Sequence, residues 1–364
     1  MTVLKDVHAD HGAQFEQRGG RETVSEYGRP ERSHRAVRNA AGVIEHASDV
    51  LVVTGDDRVE FVDNAVSNEV PTSDGAGAYA LLLTPHGRVR TDMYIYNAGE
   101  RLLVLLPPGK GEEIADDWRE KTFIQDVSFE VATDQFVHFG VHGPRATEKL
   151  ASVFSEQTPE ETLTFTRGSM GDVGVTVIRS DAPTGEEGYD VVSTAEDALY
   201  VFDTLLNRGL NAAPFGYRTW DSLTLEAGTP LFESELDDEV PNNLGLRNAV
   251  DFEKGCFVGQ EVVSRVENRG QPTKRLVGLV VEAVPEAGAG VFDGDKSVGT
   301  VTRAMESPLR NVPFALALVS AEVAEKVGED AALSVRIDGE EVAATAVSLP
   351  FVEGSETSAR LPSV

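Results

Sequence analysis

The chain has 364 residues, 41% of them hydrophobic, with 32 Lys+Arg against 61 Asp+Glu and a formal net charge of −29. That leaves room for two or three domains with real cores and excludes a disordered chain. No apolar run approaches the ~18 residues of a membrane helix, the start Met1–Asp6 shows no signal-peptide pattern, and the single cysteine, Cys256, excludes an intrachain disulfide or a CxxC metal site.

Residues 1–38 are polar, carry Gly19-Gly20 and Arg29-Pro30, and read as a mobile or loosely docked lead-in. From 39 to 271 strand-like and helix-like segments intermix. Val50–Val53, Leu102–Leu106, Phe136–Val141 and Val173–Ile178 are apolar and β-branched, as strands require. Arg58–Asn68, Gly111–Lys121, Ala146–Phe154 and Ala195–Arg208 have helical spacing, the last ending before Gly209. The order is α+β, without the regular alternation of a doubly wound sheet. After Pro272 short strands follow one another: Arg275–Glu282, Gly299–Met305, Phe314–Ser320, Ala332–Ile337 and Glu341–Ser348. Residues 272–364 therefore read as a small β-barrel or sandwich.

The acidic excess runs through most of the chain, and only 8 of the 32 basic residues are lysine. Self-repulsion on this scale is tolerable in concentrated salt, where the Debye length falls to ~3 Å at 1 M. A salt-adapted, haloarchaeal-like cytoplasm is the expected setting. Duplex DNA is not an expected partner, because phosphate contacts need clustered Lys/Arg. No membrane partner is expected either.

The segment from Asp251 to Arg265 concentrates chemistry. Gly255 and Gly259 bracket Cys256 and Phe257, and Gln260 and Glu261 offer directional hydrogen-bond groups, with Arg265 one helical turn beyond Glu261. Glu253–Arg275 holds five basic residues against three acidic ones, a positive island suited to an anionic ligand or partner. The plain alternative is a turn leading into a surface helix. Elsewhere, His8 and His11 lie in the polar lead-in and read as solvated coil, so no metal ligands are assigned. Gly109-Lys110-Gly111 lacks the frame of a phosphate loop.

Lys254-Gly255-Cys256-Phe257-Val258-Gly259-Gln260-Glu261 resembles the K-G-C-[FY]-x-G-Q-E signature of YgfZ-type folate-binding proteins, which belong to the superfamily of the glycine-cleavage T protein, an aminomethyltransferase. Tyr79–Asp92, Gly143–Ala146, Thr184–Tyr189 and Leu223–Leu231 are similar to further superfamily segments, in order, over about residues 40–275. The resemblance implies two intertwined α/β modules around a central folate cavity, followed by a small C-terminal barrel. It implies tetrahydrofolate, or a one-carbon derivative, as cofactor. Asp92 would lie beside the folate's reactive nitrogens as the catalytic carboxylate. Glu186 would accept hydrogen bonds from the pterin, and Tyr79 and Tyr189 would wall the ligand. Lys254, Gly255, Cys256, Phe257, Gly259, Gln260, Glu261 and Arg265 would form the functional loop, with Cys256 a reactive thiol.

Two departures steer the branch. Trp220 and Thr224 stand where the T protein carries arginines, and Cys256–Gly259 replaces its phenylalanine-isoleucine-glycine run. Both point to the YgfZ branch, in which the resemblance implies folate-dependent support of iron–sulfur assembly or repair, including tRNA-modifying enzymes, with iron–sulfur proteins as partners. The alternative is an aminomethyltransferase acting with a lipoyl carrier protein. A non-catalytic scaffold is the third reading. A permanent cluster in one chain is excluded by the single thiol.

Overall fold

The protein is described by a computed structural model covering residues 2–327 and 332–362. Two sheets build the body. A six-stranded sheet runs in the order Phe165–Met170, Val173–Arg179, Gly188–Thr194, Phe136–His142, Gly42–His46, Ala213–Pro214. A five-stranded sheet runs Gly77–Leu83, Val89–Asn97, Arg101–Leu106, Asp49–Thr54, Ser128–Val131.

Each sheet buries one face under helices. Phe139, Val141, Tyr189 and Val191 pack beneath helix Ala198–Asn207, joining Val201, Phe202 and Leu205 in one core. On the other sheet Leu51, Val53, Ile95 and Val104 pack with Val62 and Trp118 from helices Arg58–Ala65 and Gly111–Glu120. The opposite faces meet across Val50, Val52, Tyr96, Leu105, Phe165, Ile178 and Val192, which form a single core shared by both sheets. At ~1.5–3 kcal/mol per fully buried large apolar side chain, this shared core fixes the two sheets against each other. The α+β modules around a central cavity are thus as expected.

The C-terminal sheet closes into a six-stranded barrel of Lys274–Val281, Val312–Ser320, Lys296–Ser307, Gly290–Asp293, Ala332–Ile337 and Glu340–Val347. The sequence pattern finds five of these strands. It passes over Gly290–Asp293, a four-residue piece whose only fully buried side chain is Val291, too short to show alternation. Beyond the barrel the chain returns to the body: Phe351 N–H donates to Glu226 C=O, Thr357 N–H to Gly185 C=O, and Ala359 N–H to Asp181 C=O. That return seats Arg360 deep in the body, at 5% exposure.

Residues 2–38 depart from the expected lead-in. They form helix Lys5–Asp10, a hairpin of Gln14–Arg18 with Arg21–Glu26, and helix Pro30–Asn39. Their polar side chains look solvated in sequence but are satisfied at long range. His8 is fully buried between Glu45 and Tyr27, and His34 donates to or accepts from Ser222 and Glu226.

Candidate functional site

The two sheets leave a cavity of about 140 Å³ where their facing surfaces diverge. Strand Val89–Asn97 contributes Asp92 and Tyr94, and the six-stranded sheet contributes His46, His138 and Asp190. Arg18 comes from the N-terminal hairpin, Trp220 from helix Tyr217–Ala227, and Arg360 from the C-terminal return. Such a volume lies below the ~300–1,000 Å³ of a site for a whole drug-sized molecule, so the cavity holds at most part of one.

Asp92 sits at the centre of a buried network. Its Oδ2 accepts a hydrogen bond from Tyr79 Oη at 2.8 Å and lies 3.7 Å from the Arg360 guanidinium. Arg360 also pairs with Asp181 at 2.9 Å and donates to Tyr94 Oη at 2.8 Å, while Tyr94 donates to Asp181 at 2.8 Å. Burial pushes the Asp92 carboxyl above the usual carboxylate range, against the opposing pull of Arg360 and Tyr79. Burial alone would lower Arg360, but Asp181, Tyr94, Tyr79 and Asp92 outweigh it and hold the guanidinium charged. Asp92 Oδ1 is buried and has no hydrogen-bond partner among the described residues. A buried acceptor left open is costly unless a ligand donor completes it.

Tyr79 is therefore not a wall of the cavity: fully buried, it supports Asp92 through its hydroxyl. Tyr94, its cross-strand partner, lines the cavity instead. Tyr189 is also displaced from the expected place, by strand alternation. It faces the core beside Phe139 and Val191, its hydroxyl against Thr147, while its neighbour Asp190 enters the cavity. Glu186 does not line the cavity. Its carboxylate pairs with Arg38 at 3.0 Å, and burial raises it above its ordinary value despite Arg38.

The functional loop lies apart: none of its residues lines the Asp92 cavity. Lys254 is no anion receptor, because its Nζ donates to Asp63 C=O (2.7 Å), Asp63 Oδ1 (3.0 Å), Val66 C=O (3.2 Å) and Asn68 C=O (2.8 Å). It thereby caps the C-terminal end of helix Arg58–Ala65, where carbonyls lack intrahelical partners. Phe257 is buried in the core beneath the barrel. Gly259 adopts φ +83°, and a Cβ there would stand 2.6 Å from Thr84 C=O, so glycine is required. Gly255 faces open space, contrary to the expected close approach. Gln260 Nε2 donates to Lys254 C=O at 3.4 Å, Glu261 and Arg265 are exposed on helix Gln260–Arg269, and Cys256 is a free exposed thiol.

The sequence reading missed Arg360, Asp181, Tyr94, His46, His138 and Asp190. For the histidines a signal was present. In Phe136-Val-His-Phe-Gly-Val-His142, His138, Gly140 and His142 alternate with Val137, Phe139 and Val141, a period-two pattern placing polar groups on one face. Burial pushes the imidazoles of His46 and His142 down, the latter to about 4. For Asp190 burial would raise the carboxyl, but His138, with His46 and His142, outweighs it and leaves it below its usual value.

The GCVT N-terminal domain profile matches residues 4–254, and the glycine cleavage T-protein C-terminal barrel domain profile matches residues 274–353. The chain belongs to the glycine cleavage T-protein family. An aminomethyltransferase of Bacillus cytotoxicus is 29% identical, covering 98% of both chains, and one of Bacillus subtilis is 29% identical over 96% of this chain and 98% of its own. Among solved structures, a glycine cleavage system aminomethyltransferase T from Bartonella henselae superposes with a TM-score of 0.84 at 24% identity, over 97% of this chain and 98% of that one. That likeness concerns the fold.

Proposed function

We propose that this T-protein-family chain binds a reduced folate with its ring head in the Asp92–Arg360 cavity and performs aminomethyltransferase-type one-carbon transfer there. The observation that carries the reading is the buried, unpartnered Oδ1 of Asp92, poised for a ligand N–H. The full-length aminomethyltransferase relatives support it further. Bound folate would supply the nucleophilic nitrogen that receives the one-carbon unit. Asp92, with its carboxyl raised by burial, is suited to take up the proton that nitrogen releases. Tyr79 and Arg360 hold the carboxylate in place, and Leu105, Pro107, Trp220 and Phe232 exclude water around the head group. The expected donor is an aminomethyl-loaded lipoyl carrier protein.

The test mixes purified protein in molar KCl with tetrahydrofolate and that loaded carrier, then measures methylenetetrahydrofolate and ammonia. Asp92→Asn should lower turnover ~100-fold or more, the scale of a lost acid–base group, while folate affinity changes far less. Wild-type protein that binds folate but yields no product would overturn the transferase assignment.

A second reading is favoured by a specific observation: Cys256 is exposed, detached from the cavity, and set in a YgfZ-like signature, while Trp220 and Thr224 replace the T protein's arginines. Here the folate complex supports iron–sulfur cluster assembly or repair, and client proteins dock at residues 254–261. Cys256→Ala should then spare folate affinity yet abolish support of iron–sulfur enzymes in cells; full complementation by that variant would remove the thiol's role. A tight folate complex would count against a pure scaffold. The charge of −29 supports a salt-adapted cytoplasm as the setting.

A further inference from the structure

We propose that His46, His138 and Asp190 form a binding site for a borderline-soft divalent metal ion, zinc or ferrous iron in class, with its open side toward the cavity. Nothing in the sequence pattern assigned a metal ligand, and the inference stands independently of the folate reading.

Strand register brings the three residues together. His46 is the direct cross-strand partner of His138, and Asp190 is the partner of Gly140 two residues further along the same central strand. Alternation therefore places His46, His138, Gly140, Asp190 and His142 on one face, away from the Val137–Phe139–Val141 core. Gly140 is what allows the polar groups to converge. A Cβ at that position would stand 2.5 Å from both His46 Nε2 and His142 Nε2, so any larger residue would push the imidazoles apart.

One ligand atom each from His46, His138 and Asp190 lies within 4.8 Å of the others. His138 Nε2 is 3.1 Å from Asp190 Oδ1, already the spacing of adjacent donors on a metal with bonds of ~2.1 Å. The third donor, on His46, lies within the same 4.8 Å of the other two. Ser48 Oγ lies 3.0 Å from His138 Nδ1, which is the outer contact that orients a ligating histidine so that its other nitrogen faces the ion. On the same face, both ring nitrogens of His142 are buried without a hydrogen-bond partner among the described residues, while His138 Nε2 is paired with Asp190. A buried imidazole left open beside the three candidate ligands is costly until a polar group or bound ligand completes it.

Two imidazoles and one carboxylate suit zinc or ferrous iron, and three protein ligands leave coordination positions for water or substrate. All three residues line the cavity, so those positions face its interior.

The test uses the 364-residue chain, untagged and stripped with chelator, titrated with Co(II) and with Zn(II) under equilibrium dialysis. The expected result is one ion per chain, with visible d–d bands for Co(II) and no thiolate charge-transfer band. Asp190→Asn and His46→Gln should each weaken binding at least tenfold, and Ser48→Ala should weaken it ~10–100-fold, as removal of an outer contact does. Cys256→Ser should leave it unchanged. Thermal melts identify any variant that fails to fold, and His46→Gln, at a partly exposed position, keeps the test open if Asp190→Asn is one of them. Absence of stoichiometric binding by the wild type would overturn the site. So would binding that survives both ligand substitutions, or that Cys256→Ser removes. Folate affinity of the stripped protein, measured in parallel, reports separately on the transferase reading.

Discussion

Replacing Arg360 by methionine keeps a long buried side chain and removes its charge. The guanidinium is the partner of two carboxylates, Asp181 at 2.9 Å and Asp92 at 3.7 Å. Removing one member of a buried pair costs ~3–5 kcal/mol, because the other charge is left without compensation. With two carboxylates stranded, the upper end of that range applies. At ~2–4 °C of Tm per kcal/mol for a unit of 150–250 residues, Tm should fall by roughly 10–20 °C. Differential scanning calorimetry measures the shift. The cause is separable from lost packing, because Arg360→Met/Asp181→Asn removes one of the stranded charges and should recover at least half of the loss. Asp92 should also titrate higher once Arg360 no longer holds it down, so folate binding in Arg360→Met should weaken. A fall below about 2 °C in the single variant, or a double variant no more stable than the single, would refute the charge-compensation argument.

Three further outcomes are expected. Burial holds the His34 imidazole below its ordinary 6.5 despite Glu226, whereas Glu226 is pushed up by burial but ends below 4.5 because His34, Ser307 and Arg38 outweigh it. Both groups therefore stabilise the fold above their unfolded values and lose that contribution on acidification, His34 from 6.5 downward and Glu226 below 4.5. His34→Gln should flatten stability against pH in the range just below 6.5, as read by urea unfolding; parallel curves would refute the assignment. Lys254→Met, which removes the cap on helix Arg58–Ala65, should cost ~1–3 kcal/mol and speed amide exchange in that helix, with folate affinity unchanged. A selective loss of folate affinity would instead return Lys254 to the ligand. Raising KCl from ~0.1 M to ~1 M, which cuts the Debye length from ~10 Å to ~3 Å, should raise Tm, and a flat response would remove the case for salt adaptation.

The strands and helices with clear period two or period 3.6 were legible because burial imposes those periods on the sequence. The barrel was legible in five strands, and Asp92 through its segment. Tyr79, Tyr189 and Glu186 belonged to legible segments, but which way a side chain points depends on its partner strand. A shift of one position separates Tyr189 in the core from Asp190 in the cavity. The order of residues 2–38 is not legible locally, because Arg18, His8 and His34 find their partners at Asp221, Glu45 and Glu226, beyond the reach of local pattern.

The sequence by itself determined the α+β body, the barrel, the acidic surface and the segments that resemble the T-protein superfamily. Those are properties of composition and local periodicity. Only the tertiary structure decided what stands around Asp92. Arg360 arrives from the far end of the chain and Arg18 from its start, and the histidines and Asp190 meet because three separate strands pair in one register. Tertiary structure likewise set Lys254 as a helix cap and left Cys256 exposed. Contacts between residues tens to hundreds of positions apart leave no periodic trace in the chain, since each partner satisfies its own burial and charge only once the fold has closed.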